Sequence, residues 1–247
     1  MSDKQDTNTV PNRSVSGWAK PVGRLQTGEV SREAMNLNVS GRHLTGPLQG
    51  FGRLWQKTYR VRLEGVDITP QELISTWKQK FPHFWPKGNN FYGSLRGIEP
   101  GDVAVLNLSV PGGMKLSTGI MVIYADEESF SFMTPEGHMF AGMITFSAHQ
   151  ENGTTVVQIQ PLIRASDPVY EMGCRLGFAF KLEDEFWHGT LRNLARHVGV
   201  TTPQITQEEI CVDNRVQWRE AKNIWHNSAI RSSLYMPVHI TRRIFGR

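Results

Sequence analysis

Apolar positions recur at two spacings along this chain, and the places where the spacing changes mark its elements. Over residues 54–66, Trp55, Thr58, Val61 and Leu63 alternate in part with polar neighbours until Gly65 and Asp67, which predicts a first strand. Thr69-Pro70-Gln71-Glu72 then has the residue types of a helix start: a hydroxyl at the N-cap, a proline at the first helical position and a glutamate at capping-box distance. Leu73, Trp77 and Phe81 carry that helix to Pro82. Strands are predicted in series over 91–95, 102–110 (stopped by Pro111-Gly112-Gly113), 116–125, 129–133, 139–150 and 154–165. The last two are joined at Asn152-Gly153, a pair suited to a two-residue hairpin turn because both tolerate positive φ. From 178 to 198 the period lengthens to three and four. Leu182, Phe186, Leu191, Leu194, Ala195 and Val198 form one face, Asp184, His188, Arg192 and Arg196 fall mostly on others, and Gly199 suits the stop.

Short turns between consecutive strands imply an antiparallel meander, so the fold class is α+β: about six or seven strands and one long C-terminal helix. One helix cannot cover so wide a sheet unless the sheet curls around it, and the space between the two suits a small apolar ligand. Residues 1–50 read as a polar arm, partly disordered or wrapping the domain, and 51–200 as the domain itself. Residues 201–247 read as a basic amphipathic extension. Within it Asp213 is placed to cap a helix over 214–235. Trp218, Ala221, Trp225, Ala229 and Ser232 form one stripe of that helix, with Arg215, Arg219, Lys222 and Arg231 around it. Such a segment can dock on its own domain, pair with a second subunit or lie on an anionic membrane, and Arg242, Arg243 and Arg247 add to its charge.

Composition narrows the function classes. The chain has 247 residues, 39% hydrophobic and 20% charged, enough apolar side chains for a sizeable core. A net charge of +4 is too mild to indicate a dedicated nucleic-acid partner. Cys174 and Cys211 make no disulfide framework and read as free thiols. No run of about 18 apolar residues and no apolar leader segment is present, which points to a cytoplasmic protein, with peripheral membrane contact through 214–247 as the variant. The eight histidines fall in no HxH or HExxH arrangement, there is no Gly-x-Ser-x-Gly elbow, and Gly112-Gly113 lacks a phosphate-loop context. No metal and no cofactor is expected.

Pro135-Glu136-Gly137-His138, Gly142, the polar hairpin tip, Ile163-Arg164-Ala165-Ser166-Asp167-Pro168 and Gly173, set in this order of elements, resemble the helix-grip fold of the START/SRPBCC superfamily. Within it the chain resembles an uncharacterised bacterial family. The resemblance spans roughly residues 50–200. It implies a curved sheet gripping the last helix and a pocket for a hydrophobic or amphipathic, lipid- or polyketide-like molecule. Some members of that superfamily catalyse cyclisation, dehydration or hydrolysis. It carries over no catalytic residue, so whether this chain is an enzyme stays open.

From the residues themselves, Tyr92, Met121, Tyr124, Met143, Phe186 and Leu191 are candidates for the pocket wall, and Arg164 for holding a ligand carboxylate or phosphate. Alternation along 139–150 sets Met139, Ala141, Met143, Thr145 and Ser147 on one face, and Phe140, Ile144, Phe146 and Ala148 on the other. His138 with Glu136 is the candidate acid–base pair; the competing reading is a turn at Gly137 with His138 bonded into the loop. Arg164 has a competing structural reading too, pairing with Asp167 or Glu171 to pin the strand-to-helix corner.

Overall fold

The computed structural model describes residues 15–28, 31, 33–93, 97–110, 113 and 115–235. Residues 1–14 of the arm, the strand end expected at Leu95, the Pro111-Gly112 stop and residues 236–247 lie outside the described residues.

The strands are β1 (Leu44–Thr45), β2 (Leu54–Arg62), β3 (Asn90–Tyr92), β4 (Val103–Ser109), β5 (Lys115–Ala125), β6 (Ser129–Pro135), β7 (Phe140–Glu151), β8 (Thr154–Ala165) and β9 (Ile205–Asp213). The helices are α1 (Pro70–Gln79), α2 (Pro168–Arg175) and α3 (Phe178–His197). Among the described residues the strands form one antiparallel sheet in the order β3-β4-β5-β6-β7-β8-β2-β9, with β1 paired on β6. This is the helix-grip arrangement, with two strands beyond the seven expected. β1 comes from the arm and β9 from beyond residue 200, where it pairs along β2 from Leu54 to Val61.

Local chemistry explains the elements that define the grip. Thr69 and Glu72 close the capping box: the Thr69 side chain accepts from Glu72 N–H, and the Glu72 carboxylate accepts from Thr69 N–H at 2.9 Å. Asn152 (φ 51°) and Gly153 (φ 76°) make the turn between β7 and β8. That turn sets a register running unbroken from Glu151↔Thr154 to Phe140↔Ala165. Asp167 accepts from Val169 and Tyr170 N–H to start α2, and the chain then reverses into α3 through Gly177 (φ 82°).

Tyr59, Val61, Phe130, Phe132, Phe146, Val157 and Ile159 turn inward from the sheet and meet Leu191, Leu194 and Ala195 of α3. Trp77 of α1 sits edge-on to Phe130 (5.6 Å) and Phe146 (5.3 Å). The arm wraps the outer face of the sheet. Leu25 and Val39 are buried there against Val105 and Met121, and Trp18 bridges Tyr124.

The continuous helix expected over 214–235 is replaced by a 3-10 segment, Trp218–His226, followed by a short helix over 228–235. Tertiary hydrogen bonds take over the backbone groups a continuous helix would use. Gln217 N–H donates to Phe51 O (2.7 Å) and Ser228 N–H to Gly137 O (2.9 Å). Asn227 ends the first segment; its amide donates to Asp167 (2.7 Å), and its oxygen caps Ile230 N–H (3.0 Å). Asp213 caps no helix and is held by Arg164 instead. Among the described residues no helix is long and apolar enough to cross a membrane.

Candidate functional site

A cavity of about 360 Å³ lies between the inner face of the sheet and the N-terminal half of α3. Leu108 (β4), Leu116 and Ile120 (β5), Phe132 (β6), Ile144 (β7), Pro161 and Ile163 (β8) line it from the sheet. Leu182, Phe186 and Trp187 line it from α3, and Trp85 and Pro86 from the loop after α1. The wall is mostly apolar because these side chains share the inward parity of their strands, as period two requires. The cavity exists because the sealed core sits against the other half of α3, at Leu191, Leu194 and Ala195.

Glu183 is the buried carboxylate on this wall, its side chain 7% exposed. Beneath it lies Lys57 of β2, whose side chain has no exposure. Its ammonium is 2.5 Å from Asp184 Oδ1, 3.3 Å from Glu183 Oε2 and 3.9 Å from Glu209. It also stands over the Phe180 ring at 4.4 Å. Tyr59 O–H donates to Asp184 at 2.6 Å, and His188 packs edge-on against the Tyr59 ring.

Glu183 and Asp184 of α3 share this buried ammonium unequally, with the half-exposed Glu209 at its margin. Burial opposes ionisation of Asp184, but hydrogen bonds from Lys57 and Tyr59 outweigh it and hold its pKa below the usual carboxylate value. Glu183 Oε2 lies 3.3 Å from the Lys57 ammonium, and burial still pushes the Glu183 carboxyl up to about 7 against the pull of Lys57 and Trp187. Burial alone would lower the Lys57 pKa; Glu183 and Asp184 reverse that and raise it.

The residues expected at the site separate into groups. Met143 and Phe186 are among the lining residues, and Leu191 is fully buried in the core under α3. Tyr92, Met121 and Tyr124 sit on the outer side of the sheet under the arm, and Tyr124 O–H donates to Asp126 at 2.5 Å. Their strands carry apolar residues on both faces because the arm covers the second one.

Arg164 also leaves the cavity. It is buried on the outer side, where it donates to Gly52 O (2.7 Å), Arg215 O (2.9 Å) and Asp213 (2.6 Å). It therefore pins the end of β9, and Asp213 takes the place of the expected partners Asp167 and Glu171. The face expected to carry Ile144 and Phe146 is the inward one.

His138 lines the cavity, but its Nδ1 accepts from Phe140 N–H at 3.0 Å, and burial lowers its pKa to about 4. Glu136 is engaged elsewhere, its carboxylate accepting from His43 N–H of the arm at 3.2 Å. The expected acid–base pair is not assembled, because the turn at Gly137 (φ 83°) commits each member to a different backbone partner. The sequence reading missed Lys57, Tyr59, Glu183 and Asp184. Their one sequence signal was a lysine at an inward strand position, Lys57, two residues before Tyr59.

No protein-family model matches the chain, and no curated protein matches it. Similar solved structures include the di-domain ARO/CYC StfQ from the steffimycin biosynthetic pathway, at 11% identity and TM-score 0.47, over 60% of this chain and 53% of that one. A START superfamily protein from Mycobacterium smegmatis is similar at 18% identity and TM-score 0.40, over 60% of this chain and 97% of that one. Ginseng major latex-like protein 151 from Panax ginseng is similar at 16% identity and TM-score 0.39, over 60% and 100%.

Proposed function

We propose that the chain binds a small, largely apolar molecule between the sheet and α3. The observation that supports this reading is the cavity of about 360 Å³ with its mostly apolar wall, a volume within the range of roughly 300–1,000 Å³ common to small-molecule sites. Burial of the ligand's apolar surface supplies the affinity, at about 25 cal/mol per Å² removed from water. Native mass spectrometry of the purified full chain, with solvent extraction and identification of any retained molecule, is the direct test. A protein that carries no ligand and takes up no apolar fluorophore when titrated would end this reading. A proton-transfer reaction in the same space would fall to Glu183, since Glu136 and His138 are not paired.

A second reading concerns the C-terminal segment. Trp218 and Trp225 are 74% and 79% exposed on a segment that also carries Arg215, Arg219 and Lys222, a combination suited to the interface of an anionic membrane. Because β9 belongs to the sheet, truncation before it would damage the fold, so point changes are the better test. Trp218→Ser with Trp225→Ser should abolish co-flotation with vesicles of phosphatidylserine and phosphatidylcholine. Equal flotation of variant and parent would reject membrane contact through these residues.

A further inference from the structure

We infer that His138 is the polar anchor of the cavity, and that its Nε2–H donates to a carbonyl oxygen, of a ketone or an ester, on an otherwise apolar ligand. This rests on the cavity reading above and names the chemistry of the same space.

Geometry decides which ring nitrogen carries the proton. His138 Nδ1 lies 3.0 Å from both the amide nitrogen and the carbonyl oxygen of Phe140. The Phe140 amide hydrogen is permanent and is aimed at Nδ1, so a second hydrogen on Nδ1 would stand against it. Nδ1 is therefore the acceptor, and the ring carries its one proton on Nε2. An imidazolium needs a hydrogen on Nδ1 and meets the same obstacle; the burial that lowers the His138 pKa to about 4 acts in the same direction. The sheet register explains why the amide turns to the ring. Ser166 N–H donates to Met139 O at 3.0 Å, so Met139 and Ser166 are the bonded pair, and Phe140 opposite Ala165 is the next, unbonded one. The Phe140 N–H thus faces away from β8, and the imidazole stands where a strand partner would.

The rest of His138 is engaged as well. Its backbone N–H donates to Pro135 O at 3.1 Å, and its carbonyl accepts from Ser166 Oγ. What His138 has left to line the cavity is the ring edge that carries Nε2. Among the described residues Nε2 has no partner, and it is not sealed inside protein as the indole Nε1 of Trp85 is.

The other polar groups of the wall leave a ligand little else to meet. Thr134 Oγ1 accepts from Gly142 N–H at 3.2 Å. The Asn89 amide accepts from Ser109 N–H (2.9 Å) and donates to Pro86 O (3.0 Å). Glu183 is held by Lys57 and Trp187, and Lys87 and Glu185 are exposed. Trp85 Nε1, like His138 Nε2, is a donor. A donor withdrawn from water gains most from a ligand that supplies an acceptor. A carbonyl supplies one and brings no charge into an apolar wall.

The test compares valerophenone with its oxygen-free counterpart pentylbenzene on the full chain, each displacing the apolar fluorophore 1-aminoanthracene. His138→Asn keeps an oxygen near the place of Nδ1 for the Phe140 N–H but does not reach into the cavity. His138→Gln carries an amide N–H near the place of Nε2. Valerophenone should bind about tenfold more weakly to His138→Asn than to the unmodified protein, the effect of one buried hydrogen bond. Pentylbenzene should bind both proteins alike, and His138→Gln should restore most of the ketone affinity. Nitrogen-15 spectra of the imidazole in the unmodified protein give a readout that no variant can spoil. They should show the Nε2–H tautomer near neutral pH, with the Nε2 signal moved by valerophenone and unmoved by pentylbenzene. A proton on Nδ1, an Nε2 signal indifferent to the ketone, or equal weakening of both ligands in His138→Asn would overturn the inference and leave the cavity reading standing. No binding of the fluorophore or of either ligand would remove the cavity reading and this inference with it.

Discussion

Lys57 on β2 and Glu183 on α3 are 126 positions apart in the chain, yet the ammonium of one lies 3.3 Å from the carboxylate of the other with both side chains buried. This contact ties the sheet to the half of α3 that borders the cavity. Lys57→Met removes the single cation serving Glu183 and Asp184. It should destabilise the fold by roughly 3–5 kcal/mol, the usual cost of removing one partner of a buried pair. Urea unfolding of Lys57→Met beside Lys57→Met/Glu183→Leu checks it: the double variant should recover part of the loss, because the orphaned acid is gone.

Stability should carry two opposing pH dependences between about pH 4 and about pH 7. Glu183 has its pKa raised from 4.5 to about 7 by burial. Its contribution is therefore complete below the unfolded value and is lost as pH rises through the folded one. His138 has its pKa lowered from 6.5 to about 4 by burial. Its contribution is complete above 6.5 and is lost as pH falls. Glu183→Gln should remove the first slope, so that the variant gains stability relative to the parent as pH rises from about 4.5 to about 7, on the order of 1–3 kcal/mol. Thermal melts of the two proteins across that window measure the difference. A constant offset would refute the assignment.

Arg164 should prove structural. Arg164→Met releases Gly52 O, Arg215 O and Asp213 together and should destabilise the fold by roughly 1–3 kcal/mol, the cost of leaving the buried Gly52 carbonyl without its donor. Uptake of an apolar probe by the molecules that remain folded should be unchanged, because Arg164 is not on the cavity wall. A selective loss of probe affinity at unchanged stability would return Arg164 to the binding site.

Gly137→Ala should loosen the C-terminal segment. Gly137 has φ 83°, where a Cβ costs about 1–2 kcal/mol. The added Cβ would also collide with the His226 carbonyl. Trypsin should then cut within residues 215–231 much faster than in the parent, with the sheet still folded by circular dichroism. Unaltered cleavage would show that the contact does not hold the segment.

Leu108→Trp adds a large side chain at a half-buried position on the cavity wall. It should abolish or strongly weaken apolar-probe binding and shift the melting temperature by only a few degrees, because existing space is filled. Retained probe affinity would place the bound molecule elsewhere.

The chain alone determined what depends on neighbours in sequence. Thr69 and Glu72 announce α1 because a capping box closes over three residues, and Asn152-Gly153 fixes the β7–β8 turn because the pair tolerates positive φ. The 3.6-residue period marks α3, and alternation marks β4 to β8. These were enough for a curled sheet with one long helix and space between them.

Only the tertiary structure decided which face of each strand looks inward. Alternation separates Met121 from Ile120 but leaves both apolar, and it took the arm on the outer face to send Met121 and Tyr124 away from the cavity. β9 was illegible because an edge strand with mostly exposed side chains needs no hydrophobic alternation; its pairing with β2 defines it. The polar site was illegible for a related reason. Glu183 and Asp184 look like any solvated helix acids, and Lys57 like any strand lysine, until folding removes water from all three. Burial and charge sharing are properties of residues far apart in the chain, and no local period records them.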